Sequence, residues 1–320
     1  MPAYVQYPKW IRPEVIPGFP FHWYGLMYLI AFLITYLLFR HQLKTEKLQI
    51  SDDDAVNIFF WAILGLLIGA RVFATVVYDP AGFYLRKPWL IFWPFNEQMK
   101  LVGLQGMSYH GGLIGAVIAG AIYCRVKKFS FFSLTDLVVA GIPLGYTFGR
   151  LGNFINGELW GRVTTSGIGM IFPNAPRFST TEEWVRETAD TVGIAYNSGE
   201  MIQLPRHPSQ LYEAFFEGIF LWIVLWFFFR RRKKFPGYLL GVYLIGYGTV
   251  RFVIEYFREP DIGIGYPIQL AEQAYPQALF LSLWNFSTGQ ILCFLMILGG
   301  FLLLWWRSRA SGKTGQSSGK

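Results

Sequence analysis

Residues 22–39 read HWYGLMYLIAFLITYLLF, a run without any Asp, Glu, Lys or Arg. A helix needs about 20 mostly apolar residues to cross the hydrocarbon core of a bilayer, so this run predicts a transmembrane helix. Six further stretches share this character, although Gly, Pro and polar residues interrupt two of them. We therefore expect an all-α polytopic membrane protein with seven transmembrane helices. The predicted spans are 22–39, 57–78, 110–124, 134–151, 211–229, 238–257 and 288–306.

The overall composition agrees with a membrane protein and excludes a disordered or fibrous one. Of the 320 residues, 53% are hydrophobic and 15% are charged, whereas charged residues make up about 25% of an average soluble domain. The net charge of +8 is typical of a membrane protein with basic cytoplasmic loops. No basic stripe with interleaved aromatic residues is evident, so we expect no nucleic-acid partner. Cys124 and Cys293 lie in or beside apolar runs and are expected to pack as small apolar side chains.

The distribution of Lys and Arg predicts the orientation in the membrane. These residues are densest in three short loops, 40–56, 125–133 and 230–237, and in the tail beyond residue 306. Short loops rich in Lys and Arg stay in the cytoplasm. We therefore expect the N-terminus outside and the C-terminus in the cytoplasm.

The segments between the spans predict accessory parts of a transmembrane domain that covers 22–306. Within it, 79–109 contains PWLIFWPF, which is too short to span and so rich in aromatic residues that we expect an arm in the membrane interface. Residues 152–210 are polar and rich in Gly, Pro and Thr, which predicts a small folded head on the outer, periplasmic face. Residues 1–21 are expected to form an N-terminal arm on that face, and the Gly- and Ser-rich tail 307–320 to be disordered.

Several ionisable residues lie inside or at the edges of the predicted spans, where charge is costly. An arginine near the bilayer centre costs roughly 2.5–3.5 kcal/mol even on the more lenient insertion scale, so each one needs a partner or a function. Two interpretations remain open, namely ion pairs that hold helices together and a binding site that uses the charge. The residues are Arg71, Arg150, Arg251, His110, Asp136, Glu213, Glu217 and Glu255.

The sixth predicted span carries three polar side chains on one face. Tyr247, Arg251 and Glu255 are spaced four residues apart, which puts them on the same side of a helix. Arg258 follows near the outer end. A face with a phenol, a guanidinium and a carboxylate does not suit contact with lipid, so we expect it to line a cavity or a seam between helices.

The end of the fourth span, GYTFGRLGNFINGELWGR at 145–162, combines an arginine with glycines and amides. Gly149 and Gly152 flank Arg150 and allow another backbone or a ligand to approach closely. Because the arginine fork matches phosphate or carboxylate, the stretch predicts an anion-binding site. A helix C-cap with tight packing is the alternative. The other polar or flexible residues here are Asn153, Asn156, Glu158 and Gly161.

Two residues at the outer ends of spans are further candidates. His110 begins the third span, where it is either a general base or a packing residue. Downstream of it, Gly112, Ala116 and Gly120 form a stripe of small residues that predicts a helix contact. Tyr24 lies at the outer edge of the first span, where aromatic residues commonly anchor a helix in the interface.

Five blocks of the sequence together resemble the bacterial prolipoprotein diacylglyceryl transferases. The most specific block is GRLGNFINGELWGR at 149–162. The similarity runs in order from about residue 20 to residue 306, except that Val72, Phe73 and Ala74 follow Arg71 where the family usually has Gly and Tyr. The other four blocks are HWYGLMYL at 22–29, SYHGGLIG at 108–115, RHPSQLYE at 206–213 and LIGYGTVRFVIEYFR at 244–258.

The resemblance implies an enzyme of lipoprotein maturation in the bacterial inner membrane. The family moves the diacylglyceryl group of phosphatidylglycerol to the lipobox cysteine of a prolipoprotein and releases glycerol phosphate. The expected partners are phosphatidylglycerol, a prolipoprotein lipobox peptide and membrane lipids, and no metal or soluble cofactor is expected. Matching motif positions implies functional roles for His110, Tyr24, Arg150, Asn153, Glu158, Gly161, Tyr247, Arg251 and Glu255.

The chemistry separates catalytic residues from lipid-binding ones. A thiol must attack glycerol C3 as a thiolate while a phosphate leaves, and arginines already in place would stabilise the growing negative charge. We expect Arg150 and Arg251 to form this clamp and His110 to act as the base, with Tyr247 as the competing candidate. A transporter that binds an anion or a lipid headgroup at the same arginines is the rival interpretation, although no internal repeat is evident. The residues expected to bind phosphatidylglycerol, beside the two arginines, are Tyr24, Asn153, Glu158, Gly161 and Glu255.

Overall fold

The structure is a computed structural model that describes most of the chain. The described residues form two compact units, one of 40–134 and one composed of 1–39 and 135–320. Side chains in the last helix are described as far as residue 311. The described residues are 4–18, 21–46, 50–79, 81–95, 98–100, 103, 106–260, 265–271, 278–280 and 282–317.

Helices make up most of the described chain. Short 3-10 turns, Pro88–Phe92 and Glu255–Phe257, supplement them, and two stretches of α8, Glu213–Phe220 and Val224–Phe229, have the wider hydrogen bonding of a π-helix. The helices are α1 (Trp23–Thr45), α2 (Asp52–Val77), α3 (Phe83–Arg86), α4 (Tyr109–Lys127), α5 (Phe131–Val139), α6 (Ile142–Ile155), α7 (Glu183–Val192), α8 (Ser209–Arg232), α9 (Tyr238–Ile254) and α10 (Thr288–Ser317).

The helices confirm an all-α polytopic membrane protein. Among the described residues, six helices are long and apolar enough to cross a membrane, and a seventh span results if α5 and α6 are counted as one. These two are bent by 49° where Gly141 precedes α6 and Pro143 occupies its first turn, because proline suits a helix start and not its interior. Each of the seven predicted spans overlaps one of these helices or this bent pair.

Asp136 in α5 is one of the intramembrane charges noted in the sequence, and it has a structural role. Its two carboxylate oxygens accept hydrogen bonds from the backbone amides of Gly237, at 2.8 Å, and Leu240, at 2.9 Å. Amides at a helix start have no partner within the helix, so a carboxylate there satisfies them. Asp136 therefore caps α9 from a neighbouring helix.

Close glycine contacts bring the helices around α6 together. A Cβ atom on Gly152 would lie 3.3 Å from Cδ2 of Tyr24 in α1, and one on Gly218 in α8 would collide with the side chain of Thr147 in α6. The Thr147 hydroxyl also donates a 3.2 Å hydrogen bond to the carbonyl of Ala214. Small residues let helix backbones approach closely in a membrane, and here they set α1 and α8 against α6.

The pairing of α9 with α10 uses the same device. A Cβ atom on Gly248 of α9 would lie 3.0 Å from the carbonyl oxygen of Cys293 in α10. Both cysteines of the chain are buried and free of disulfide bonds. The last helix runs to Ser317. It therefore extends past residue 307, at which the disordered tail was predicted to begin. Residues 318–320 of that tail lie outside the described residues.

In the unit of 40–134, α2 and α4 pack along a seam of glycines. A Cβ atom on Gly115 of α4 would collide with the carbonyl of Gly65 in α2, and one on Gly65 would lie 2.6 Å from Cβ of Ala119. The predicted contact stripe is confirmed at Gly112, where a Cβ atom would lie 3.3 Å from Cγ of Leu66 in α2, but it is wrong at Gly120, which faces open space. The closest approaches are made by the stripe one position earlier, Gly111–Gly115–Ala119, because one residue turns a helix face by about 100°.

Arg71 of α2 joins its helix to the segment that was expected to lie in the interface. Its Nε donates a hydrogen bond to the carbonyl of Ile91, and its Nη1 donates one of 3.4 Å to the carbonyl of Gly106. Its guanidinium lies 5.3 Å from the ring centroid of Tyr84. The part of 79–109 that the structure describes is thus attached to α2 through an arginine side chain.

The segment between α6 and α8 folds around a small apolar core. In this core Trp184 and Val185 of the amphipathic helix α7 pack with Val163, Ile202 and Leu204, and Ala278 joins them from a later part of the chain. Strand β3 (Arg177–Ser179) pairs antiparallel with β4 (Met201–Gln203), while β1 (Val5–Gln6) pairs in parallel with β2 (Met170–Ile171). A third pair joins β5 (Ile268–Gln269) to β6 (Asn285–Phe286).

The N-terminal segment is fastened to the end of α6. The hydroxyl of Tyr7 donates 2.9 Å hydrogen bonds to the carbonyls of Phe154 and Ile155, the last two residues of α6. Burial raises the pKa of the Tyr7 phenol to about 12, because a charged phenolate would lose its hydration there. Tyr7 therefore ties the N-terminal segment to the last carbonyls of α6, and that of Phe154 also accepts a 2.9 Å hydrogen bond from the amide of Gly157.

Candidate functional site

Three arginines converge on one buried carboxylate at the start of the π-helical stretch of α8. Oε2 of Glu213 lies 2.7 Å from Nη1 of Arg251 and 3.0 Å from Nε of Arg150. Oε1 of the same carboxylate lies 2.7 Å from Nη1 of Arg258. The Glu213 side chain is 0% exposed, whereas the arginine side chains keep 15–18% of their surface exposed. The carboxylate is thus the buried floor of a site that opens on its arginine side.

Arg251 is surrounded by carboxylates. Besides Glu213, its Nη1 lies 3.4 Å from Oε1 of Glu217, and its Nη2 lies 3.0 Å from Oε2 of Glu255. Glu255 is held in turn by the hydroxyl of Ser287, which donates a 3.1 Å hydrogen bond to Oε1. These contacts fix the Arg251 guanidinium through both terminal nitrogens, so it is a rigid part of the site.

Arg150 reaches the same carboxylate from α6. Its Nε donates a 2.6 Å hydrogen bond to the hydroxyl of Tyr146, one turn earlier, and its carbon Cζ lies 4.8 Å from the centroid of that ring. Its Nη1 donates to Oδ1 of Asn153 at 3.4 Å. Asn153 donates a 3.0 Å hydrogen bond to Glu158. A chain of side chains therefore connects the arginine to the loop after α6.

Two tyrosines predicted for the site lie beside these residues. The ring of Tyr247 in α9 packs edge-on against Tyr146, with centroids 5.9 Å apart. The ring of Tyr24 in α1 lies against Gly152, and its hydroxyl is 3.0 Å from that of Tyr28. Both phenols thus belong to the unit that holds the arginine cluster.

The loop after α6 has an unusual backbone that the start of α8 fixes. Gly157 has a φ of +63° and Leu159 a φ of +57°, a region that bulky residues rarely occupy. The Ser209 hydroxyl donates a 3.1 Å hydrogen bond to the carbonyl of Leu159, and the Gln210 amide donates one of 2.6 Å to the carbonyl of Glu158. Since Ser209 and Gln210 are fully buried, their hydrogen bonds stabilise the strained loop.

Gly161 ends this loop at a point where three backbones meet. Its amide donates a 2.8 Å hydrogen bond to the carbonyl of His207, and it pairs with Arg258 in an isolated antiparallel bridge. A Cβ atom at this position would collide with the carbonyl of Phe257 and lie 2.9 Å from Cβ of His207. A glycine is therefore required here because the neighbouring backbone comes too close for a side chain. A left-handed φ is not the reason, since Gly161 does not have one. A direct contact of Gly161 with lipid stays a prediction.

Arg206, which is fully buried, and His207, which is half-buried, hold the foot of the head together. Nη1 of Arg206 donates a 3.0 Å hydrogen bond to the carbonyl of Gly161 and one of 2.5 Å to Glu259. Nδ1 of His207 lies 3.1 Å from the hydroxyl of Tyr212. Burial, with the nearby charge of Arg162, lowers the pKa of His207 to about 4, so the ring is neutral at pH 7.

The comparison with known proteins follows this geometry. Residues 14–306 match the family described as prolipoprotein diacylglyceryl transferase. The chain belongs to this family. It is 54% identical over 310 residues to the phosphatidylglycerol–prolipoprotein diacylglyceryl transferase of Treponema pallidum (strain Nichols), covering 92% of this chain and 93% of the relative.

Two further relatives carry the same name. That of Treponema denticola is 53% identical over 311 residues, which are 92% of this chain and 91% of the relative. That of Chlorobaculum tepidum is 44% identical over 319 residues, which are 98% of this chain and 96% of the relative. The family assignment predicted from the five sequence blocks is confirmed, and the protein is a transferase.

Seven of the nine family positions lie in or beside the arginine cluster, and Gly161 anchors the neighbouring backbone. The ninth position, His110, belongs to the other unit, 40–134. It is exposed in the first turn of α4, where its ring lies edge-on to that of Tyr109 at 5.7 Å. Its role as a base stays a prediction. The seven are Tyr24, Arg150, Asn153, Glu158, Tyr247, Arg251 and Glu255.

Sequence reasoning missed the centre of the site. Glu213 appears in the sequence only as one of several intramembrane charges. Nothing in its local pattern shows that one arginine from α6, one from α9 and one from the segment just after α9 converge on it. Tyr146 and Arg258 were also left without roles. Their signals exist in part, since Tyr146 is four residues before Arg150 and Arg258 is three residues after Glu255, spacings that put side chains together on a helix.

Acidic, cysteine and histidine side chains do not assemble into a metal site in the part of the chain that the structure describes. The carboxylates of the arginine cluster are engaged by guanidinium groups, as described above. Because the carboxylates are occupied in this way, the groups that remain available to a ligand are the outer edges of the guanidinium groups. These edges donate hydrogen bonds, so the cluster suits an anion.

Proposed function

We propose that this protein transfers the diacylglyceryl group of phosphatidylglycerol to the cysteine thiol of a prolipoprotein. In the reaction, the cysteine sulfur forms a bond with C3 of the acylated glycerol, and the bond between C3 and its phosphate oxygen breaks. The bonding electrons leave with that oxygen, so glycerol phosphate departs, and the thiol proton passes to a base. Family membership and the shared name of the relatives support this proposal.

The observation that carries the proposal is the convergence of three guanidinium groups on the buried carboxylate of Glu213. Negative charge grows on the phosphate as it leaves, and charges that are already in position stabilise this transition state more than the ground state. Arg150 and Arg251 are the arginines that we propose as this clamp. Glu255, which is ion-paired with Arg251, would orient that guanidinium.

The remaining family positions would bind the lipid or take the proton. Asn153 and Glu158 lie between Arg150 and the loop after α6, so we propose that they position this arginine or the glycerol of the headgroup. Tyr24 would border the same headgroup. His110 and Tyr247 remain alternative bases, because a thiol with an ordinary pKa near about 8.5 is mostly protonated at neutral pH.

We also propose that the protein lies in the bacterial cytoplasmic membrane with its N-terminus outside and its head in the periplasm. The basic loops support this orientation. The ends of α8 and α10 support a position at a membrane–water boundary, since Cζ of Arg230 lies 4.0 Å from the ring of Trp226 and Cζ of Arg309 lies 4.3 Å from the ring of Trp305. Pairs of arginine and tryptophan suit a membrane–water boundary.

A reconstitution experiment tests the proposed reaction. Purified protein is mixed with phosphatidylglycerol and a synthetic peptide that carries a lipobox cysteine, and the mass of the peptide is followed. We expect a mass increase equal to a diacylglyceryl group, together with released glycerol phosphate. A peptide with serine in place of cysteine and a reaction with phosphatidylcholine are the controls. Movement of headgroups across vesicles without lipidated peptide would favour the rival transporter.

A further inference from the structure

Arg258 stands directly after the 3-10 turn that ends α9. Its Nη1 lies 2.7 Å from Oε1 of Glu213, and its Nε lies 3.6 Å from Oε2 of Glu255. The Arg258 side chain remains 16% exposed although its carboxylate partner Glu213 is fully buried. The guanidinium therefore lies between the buried carboxylates and the open side of the site.

The backbone of Arg258 is fixed independently of its side chain. It pairs with Gly161 in the antiparallel bridge, and the amide of Arg162 donates a 2.9 Å hydrogen bond to the carbonyl of Phe257. The amide of Arg258 itself donates to the carbonyl of Glu255 at 3.2 Å. A residue held from both sides is preorganised, so little conformational entropy is lost when a ligand binds to it.

Glu213 brings Arg150 and Arg258 into a matched arrangement. Each arginine uses one nitrogen on one oxygen of the same carboxylate, Nε of Arg150 on Oε2 and Nη1 of Arg258 on Oε1. Among the described residues, no protein acceptor contacts the outer nitrogen Nη2 of either arginine. Arg251 differs, because carboxylates engage both of its terminal nitrogens.

The distribution of charge favours an anion at these two arginines. Three carboxylates face the three guanidinium groups, but not evenly. Glu217 contacts Arg251 at 3.4 Å, and Glu255 contacts Arg251 at 3.0 Å and Arg258 only at the longer distance of 3.6 Å. The edge formed by Arg150 and Arg258 is therefore the less neutralised part of the cluster. Guanidinium forks of this kind match the oxygens of a phosphate, to which each can donate two hydrogen bonds.

We infer that Arg258 is a phosphate-binding residue that acts together with Arg150 from the opposite oxygen of Glu213. The ligand is a glycerol phosphate group, either as the diester in phosphatidylglycerol or as the free monoester. This inference rests on the proposed function for the identity of the ligand. It adds a third arginine to the pair that the family resemblance singles out.

Substitution of Arg258 by lysine and by glutamine tests the inference. Lysine keeps the charge beside Glu213 but loses the fork, and glutamine loses both. The matched control is Arg177→Gln, since Arg177 is an exposed arginine of strand β3 in the head. Four quantities are measured for each variant: KM for phosphatidylglycerol, KM for the peptide, the inhibition constant of glycerol phosphate and the melting temperature.

We expect Arg258→Lys to raise the KM for phosphatidylglycerol and the inhibition constant of glycerol phosphate by about tenfold or more, as loss of a charge-assisted contact does. The KM for the peptide and the melting temperature should stay near those of Arg177→Gln. If the lysine variant has the same KM for phosphatidylglycerol and the same inhibition constant of glycerol phosphate as the wild type, the inference is wrong and Arg258 only pairs with Glu213. A rise for the lipid alone would restrict the site to the diester, and a rise for glycerol phosphate alone to the monoester.

Direct binding separates this inference from the proposed function. Glycerol phosphate and inorganic phosphate are titrated into the wild-type protein and the lysine variant in detergent, and heat is measured. Wild-type protein that binds glycerol phosphate but lipidates no peptide would refute the transfer reaction and retain the phosphate site. Equal binding by wild type and Arg258→Lys would refute the site whatever the turnover.

Discussion

The side-chain amide of Gln210 donates a 2.6 Å hydrogen bond to the backbone carbonyl of Glu158. It joins two sequence blocks, RHPSQLYE at 206–213 and GRLGNFINGELWGR at 149–162, that are separated by the whole head. The first block ends in Glu213 and the second begins beside Arg150, which meet at 3.0 Å. The blocks are therefore two sides of one site, and changes to either should disturb the same arginine cluster.

Replacing Glu213 by glutamine tests its place at the centre. The change keeps the shape of the side chain but leaves three guanidinium groups without their shared counter-ion. Removing one partner of a buried ion pair costs about 3–5 kcal/mol, so we expect a lower melting temperature and a turnover reduced by roughly 100-fold, the factor that about 2.7 kcal/mol represents. Turnover of the lipidation reaction and thermal unfolding are measured together.

Two other carboxylates give the comparison for Glu213→Gln. Glu217→Gln removes a buried charge that is ion-paired with Arg251, at 3.4 Å, and should have a smaller effect on turnover. Glu187→Gln changes an exposed residue of α7 and should change neither quantity. Wild-type turnover in Glu213→Gln would show that the arginines do not depend on this carboxylate for their positions.

Gly161 should tolerate no side chain, for a reason different from flexibility. In Gly161→Ala the new Cβ would collide with the carbonyl of Phe257, so the backbone that carries Arg258 must move. We expect at least a tenfold loss of turnover, because misplacement of a catalytic group by about 1 Å can cost roughly 100-fold. The matched control is Gly167→Ala, whose Cβ would meet open space. If the two variants are equally active, the close approach of Phe257 is not the reason that a glycine is needed at position 161.

The sequence was sufficient for the features that repeat along a single helix. Apolar runs predicted seven spans, which the six helices and the bent pair α5–α6 confirm. The four-residue spacing of Arg251 and Glu255 predicted one polar face of α9, and the two side chains are paired at 3.0 Å. Both features depend only on helix periodicity and length, which local sequence records.

Contacts between helices were harder to predict. The α4 stripe was assigned to Gly112, Ala116 and Gly120. Gly112 does contact α2, but the closest approaches are at Gly111 and Gly115, and both registers place small residues four apart. The meeting of Glu213 with Arg150, Arg251 and Arg258 depends on how α8 sits against α6 and α9. A single sequence carries no signal for such a register, since it is fixed only when the helices pack.

The identity of the base can be tested with His110 and Tyr247. His110→Gln keeps a polar side chain but removes the group that titrates near neutral pH. If His110 is the base, turnover at pH 7 should fall by roughly 100-fold and recover partly at higher pH, where more of the peptide thiol ionises unaided. The pH–rate profile of a folded variant is the measurement. Unchanged turnover in His110→Gln with a large loss in Tyr247→Phe would transfer the role to the tyrosine.

The proposed orientation predicts the side on which reporter fusions are found. A fusion after Lys234, or after residue 311 of α10, should be cytoplasmic, because basic loops are retained there. A reporter inserted within 165–200 should be periplasmic. Paired reporters that are active on opposite sides of the membrane provide the measurement. A cytoplasmic signal from 165–200 would contradict the orientation and the periplasmic location of the head.

The final prediction separates a phosphate clamp from structural ion pairing at Arg150 and Arg251. Lysine at either position keeps the positive charge but loses the planar fork. If both arginines bind the departing phosphate, each variant should lose a charge-assisted contact of roughly 1.5–3 kcal/mol, or about 10- to 150-fold in rate. The loss should appear mainly in kcat if the contact tightens as the phosphate leaves.

The two arginines need not respond alike, and the difference is informative. Carboxylates hold both terminal nitrogens of Arg251, at 2.7, 3.4 and 3.0 Å, so Arg251→Lys should lower the melting temperature as well as kcat. Arg150 shares its Nε with Tyr146 and Glu213 and keeps an outer edge, so Arg150→Lys should lower kcat with less loss of stability. Turnover and thermal unfolding of both variants are measured side by side. Near-normal turnover with reduced stability at either position would exclude that arginine from the clamp, because a group that only pairs helices can be replaced by another cation.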